Sequence, residues 1–78
     1  MKRAEIRTEL DWPALVAAAV TPDNTSEMTT TVEGDSVVTR IERETTGGLR
    51  STVDDYVVNV DVAARVAQTA DQFTNTQP

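Results

Sequence analysis

Apolar and polar residues alternate in three stretches of the chain. In residues 2–10, KRAEIRTEL, Ala4, Ile6, Thr8 and Leu10 fall on one side and Arg3, Glu5, Arg7 and Glu9 on the other. This is the pattern of a strand with one covered and one wet face. Alternation resumes at Met28, and Gly34-Asp35 separates TTTVE from SVVTRIERET. A Gly-Asp pair between alternating runs predicts a two-residue hairpin. Its second strand should turn Val37, Thr39 and Ile41 inward and Val38, Arg40, Glu42 and Glu44 outward. Between the first strand and the hairpin, Asp11 stands where an N-cap belongs and Pro13 falls in a first turn. The helix WPALVAAAV, residues 12–20, follows and is closed by Pro22, and PDNTSEM carries turn chemistry. Gly47-Gly48 ends the last strand and launches a helix over about 49–70.

These elements read β-α-β-β-α, one domain over residues 1–73 with a disordered tail at 74–78. For a chain that reverses direction at each element, strand order 1-3-2 makes every neighbour antiparallel and puts both helices on one face. The predicted fold is an α+β two-layer sandwich with a three-stranded antiparallel sheet.

On a wheel of 100° per residue, Leu49, Val53, Tyr56, Val57, Val60, Ala63, Ala64, Ala67 and Ala70 form a broad stripe suited to the sheet. Val58, Val62 and Val66 form a second row, with Phe73 beyond it, and Asp54, Asp61 and Arg65 lie in the gap. The first helix, ALVAAAV, has no polar side at all. Either the two helices cover each other or they present apolar surface to another protein. The second reading is preferred, with Trp12, Leu15, Ala18, Ala19, Val58, Val62 and Val66 as its candidate residues.

Composition sharpens that preference. A chain of 78 residues buries only about 60–65% of its unfolded surface, so small domains of this size gain from a partner. With no Cys and no His, disulfides, thiol chemistry and the commonest general base are excluded. No apolar run approaches the ~20 residues of a membrane span, and MKRAEIRTEL lacks the apolar core of a signal peptide, so a cytoplasmic protein is predicted. The net charge is -6, with Lys2 the only lysine beside six arginines and thirteen carboxylates. Such acidity suits concentrated salt, which screens repulsion within about 3 Å at 1 M, and it predicts a halophilic source.

Candidate chemistry is sparse. Asp54 and Asp55 are adjacent on a helix, point about 100° apart, and share a metal poorly. Ser51 and the threonines have no base to activate them. Gly47-Gly48 before a helix offers bare N–H groups to a phosphate but lacks the accompanying lysine. No catalytic residue, metal ligand or cofactor site is predicted, and the chain reads as a non-enzyme. Arg3, Arg7 and Arg40 on the outward sheet face, together with Arg50, are candidate RNA contacts. Their interleaving with Glu5, Glu9 and Glu42 favours cross-strand ion pairs instead.

VTPDNT after an apolar helix, an acidic hairpin, and TTGGLRSTVDDYV opening a long last helix carry a resemblance. From about Lys2 to Ala70 the chain resembles the small dimerising subunit of the archaeal KEOPS complex, in a haloarchaeal form. The best-matched points are Pro22-Asp23-Asn24 and Leu49-Arg50 followed by Tyr56; the family often has Asn where this chain has Asp54. The resemblance implies a non-catalytic subunit. It would form a homodimer and dock the catalytic threonylcarbamoyl transferase through its helices. It would thereby support threonylcarbamoylation of the adenosine beside the anticodon in tRNAs reading codons that begin with A, meeting tRNA only within the complex. Two strand edges without Pro, on the first strand and on EMTTTVE, are the predicted places for dimer pairing. The rival readings are a stand-alone RNA-binding module and an unrelated small-molecule-binding or enzymatic α+β domain.

Overall fold

The structure, a computed structural model, describes residues 1–75, with side chains as far as Ala70. Its elements are β1 (Lys2–Glu9), α1 (Pro13–Val20), a 3-10 turn (Thr21–Asp23), β2 (Met28–Glu33), β3 (Ser36–Arg43) and α2 (Thr46–Asn75). The sheet is antiparallel in the order β1-β3-β2, and both helices pack on one of its faces. The predicted β-α-β-β-α sandwich is the fold observed.

Each join has a local cause. Glu33 pairs with Ser36 across Gly34-Asp35, so the hairpin loop holds two residues. Gly34 has φ +60° and no other described residue has positive φ. Positive φ at the first central position alone marks a II′ turn, whose twist matches its strands and which asks for glycine there. The backbone carbonyl of Asp35 then accepts a hydrogen bond from Leu10 N–H at 2.9 Å. This ties the end of β1 to the turn.

α1 starts differently from the expectation. Asp11 is not its N-cap; Trp12 occupies that position with φ -128° and makes no side-chain cap bond. The predicted start placed Asp11 one residue too early, because Pro13 is the first helical residue. Pro22 lies inside the 3-10 turn, after α1 has already closed with Thr21 Oγ1 donating to Ala17 O at 2.6 Å.

α2 is longer than predicted at both ends. Thr45 caps it, its Oγ1 accepting from Gly48 N–H at 3.0 Å and its carbonyl from Leu49 N–H at 3.0 Å. The two glycines therefore belong to the first turn. At the other end the helix runs through Thr74 and Asn75, residues assigned above to the tail; 76–78 and the side chain of Phe73 lie outside the described residues. Thirty helical residues span about 45 Å, against roughly 27 Å for an eight-residue strand, so α2 overhangs the sheet.

The core joins Val16, Ala17 and Val20 of α1 to Val37 and Ile41 of β3 and to Tyr56, Val60 and Ala67 of α2. Leu49, Val53, Ala63 and Ala64 are half-buried against it. Val57 and Ala70, which the wheel assigned to this stripe, are exposed, because they sit at the stripe's margins, where the narrow sheet gives no cover. Val38 departs in the opposite sense. It points to the open face, as its alternation requires, yet is 0% exposed. Arg7 and Thr31 flank it across the two ladders. Arg7 reaches past it to Glu33, while Arg40 beside it joins Glu5 and Glu33. The arginine stems thus cover an apolar residue while their heads stay wet.

Candidate docking surface

Adjacent side chains on a helix differ by about 100°, so Val62 stands roughly 200° from buried Val60. The row Val58, Val62 and Val66 is accordingly on the side of α2 away from the core, 61%, 54% and 63% exposed. Asp61 and Arg65 run beside it and pair with each other at 3.2 Å. This i,i+4 pair holds polar groups at the flank and leaves the valine ridge itself uncovered. On α1, Val16, Ala17 and Val20 are consumed by the core, whereas Leu15 is 53% exposed and Ala18 and Ala19 are exposed. Because both helices lie on one face of the sheet, the exposed rows share the outer side of the helical layer. Trp12 is placed otherwise. It is half-buried and packs against the core from the start of α1.

The opposite face of the molecule is a lattice of ion pairs. Arg3 meets Glu42 at 3.1 Å and Arg40 meets Glu5 at 3.0 Å, each directly across a ladder. Glu33 accepts a hydrogen bond from Arg7 at 3.3 Å and lies 3.5 Å from Arg40, bridging β2 to β1 over the central strand. The cross-strand pairing predicted for this face is present, with Glu33 in the place expected for Glu9. Three of the four candidate RNA contacts are thus engaged by carboxylates. Arg50, on α2, is exposed and has no ion-pair partner among the described residues.

Alternation also places Arg43 on the inward side, in phase with Val37, Thr39 and Ile41. Its Nη1 donates to Thr52 Oγ1 at 2.6 Å and to Gly48 O at 3.4 Å, and its Nε lies 3.6 Å from Glu27. A methyl group at Gly48 would stand 3.1 Å from Arg43 Nη2 and 3.0 Å from Thr45 Oγ1. Glycine there lets the guanidinium lie against the first turn of α2.

A chain of side-chain hydrogen bonds, half-buried at Asn24 and Thr30 and buried at Thr39 and Tyr56, runs into the interior. Asn24 Nδ2 donates to Thr30 Oγ1 at 2.7 Å, Thr30 and Thr39 share a bond of 2.9 Å, and Thr39 Oγ1 donates to Tyr56 OH at 2.6 Å. Asn24 and Tyr56, which the sequence singled out separately, are two ends of one connection from the 3-10 turn through β2 and β3 to α2.

Among the described residues no group of three or more acidic side chains is arranged to hold a metal ion, and no helix is long and apolar enough to cross a membrane. No protein-family model matches the chain, and no curated protein matches it.

Proposed function

We propose that this chain is a non-catalytic docking subunit of a KEOPS-type tRNA-modifying complex. It forms a homodimer and presents its helices to the catalytic transferase, acting in the cytoplasm of a halophile. The observation that carries the reading is the valine ridge of α2. Three β-branched side chains at i, i+4 and i+8 stand more than half exposed on the side away from the core. Aligned apolar side chains of this kind mark a protein contact rather than scattered surface residues. The sequence resemblance supplies the partner, and a strand edge of β1 or β2 supplies a place for the twofold contact.

The stand-alone RNA-binding reading is disfavoured by the ion-pair lattice. Arg3, Arg7 and Arg40 already face carboxylates, and a chain of charge -6 repels phosphate further.

One pair of variants tests the docking surface. Val62→Arg puts a charge on the exposed ridge and should keep native circular dichroism while failing to co-purify with the transferase. Val60→Arg puts it in the core, where Val60 is 8% exposed, and should misfold, because a buried unpaired charge costs several kcal/mol. A folded Val62→Arg that still captures the transferase at wild-type strength refutes the ridge as the docking site. Light scattering that shows only the 8.5 kDa monomer in concentrated KCl refutes the dimer.

A further inference from the structure

At the hairpin end of the sandwich, where β1 leaves the sheet and α1 begins, an open groove of about 550 Å³ lies between the first helix and α2. Ligand clefts commonly measure about 300–1,000 Å³. The groove has two kinds of lining. Leu10, Trp12 and Ala64 are apolar and half-buried, while Asp11 and Asp35 bring two exposed carboxylates. The bond from Leu10 N–H to Asp35 O draws these acids together from the end of β1 and the distant hairpin turn. Neither forms an ion pair among the described residues, although Glu5, Glu27, Glu33, Glu42 and Asp61 all meet arginines.

Charge and shape together select the occupant. Two carboxylates beside an indole call for a cation. They do not converge as a metal site among the described residues, so the cation must be extended enough to reach both rim positions. A guanidinium is flat, stacks on an aromatic ring and spreads five N–H donors in its plane, whereas an ammonium is a compact point charge. We propose that the groove receives an arginine side chain from a protein partner, its aliphatic stem against Leu10 and Ala64, its head over Trp12 and between Asp11 and Asp35. The protein nature of the occupant rests on the docking reading above, since Trp12 heads the same helix that exposes Leu15 and Ala18. The arginine chemistry rests on the groove alone.

Trp12 is the only tryptophan, so its fluorescence reports on the groove directly. The purified chain is titrated with N-acetyl-argininamide and with the uncharged N-acetyl-citrullinamide, in dilute and in molar KCl. A saturable emission change is expected with the arginine probe only, weakened by molar salt. It should weaken at least about fivefold in the Asp11→Asn/Asp35→Asn double variant, whose circular dichroism stays native. A response that fails to saturate, equals that of citrulline, or is unchanged in the double variant overturns the groove. The ridge variant Val62→Arg keeps the arginine response, because Val62 is not among the groove residues. Loss of the probe response with capture of the transferase intact therefore defeats the groove alone. An intact probe response in a wild-type chain that captures no transferase defeats the docking reading alone.

Discussion

The hydroxyl of Thr39, at the centre of the middle strand, lies 2.6 Å from that of Tyr56 on α2, and both residues are shut from solvent. Helix and sheet are held here by a directed bond inside an otherwise apolar contact, continued through Thr30 to Asn24. Removing one partner of a buried hydrogen bond leaves the other unsatisfied, whereas removing both can be almost neutral. Tyr56→Phe is therefore expected to cost about 1–2 kcal/mol, and Tyr56→Phe combined with Thr39→Val less than the sum of the two single changes. Thermal unfolding followed by circular dichroism measures this, at roughly 4–8 °C per kcal/mol for a domain of this size. Strict additivity of the two changes would show that the hydroxyls do not act as a pair.

The two adjacent glycines should respond oppositely to alanine. At Gly47 an added methyl meets nothing within 4 Å, so Gly47→Ala gains helix propensity, up to about 1 kcal/mol. At Gly48 the methyl crowds Arg43 and Thr45, so Gly48→Ala gains less or destabilises by displacing the guanidinium from Thr52. Denaturant melts of the two variants rank them, and Gly48→Ala melting above Gly47→Ala would contradict the packing described for Arg43.

Arginines held by carboxylates can be released. Glu5→Gln with Glu33→Gln removes every carboxylate that pairs with Arg40 and the one that pairs with Arg7. These pairs are half-exposed, so the stability cost should stay near or below about 1 kcal/mol per pair. The uncovered cations should raise RNA retention in a low-salt filter assay, while the wild-type chain retains little. Strong, saturable retention by the wild-type chain would favour the RNA-binding reading instead.

Salt should stabilise the fold. Thirteen carboxylates against seven cations repel over a Debye length of about 30 Å at 10 mM salt, falling to about 3 Å at 1 M. The melting temperature is expected to rise from dilute to molar KCl. A flat or falling curve would count against halophilic adaptation, because the surface ion pairs alone weaken as salt increases.

Much of this molecule was decided by local pattern. Alternation in β1 and β3, the Gly34-Asp35 turn and the 3.6-residue period of α2 depend on neighbours a few positions apart, and antiparallel reversal then admits few topologies for the sheet. The exposure of Val58, Val62 and Val66 was legible for the same reason, since it follows from helical spacing opposite Val60. Other features required distant segments to meet. Val38 is outward by its period and buried by what crosses it: Arg7 from β1 reaching Glu33 on β2, a pair 26 residues apart that no local pattern names. The groove at Trp12 exists because the end of β1, the hairpin turn, the start of α1 and the stretch of α2 around Ala64 and Gln68 lie side by side. The link from Asn24 to Tyr56 likewise needed the strand register to place Thr30 opposite Thr39. Periodicity selects the face on which a side chain stands; what covers it, or pairs with it, is set by the segments that packing brings there.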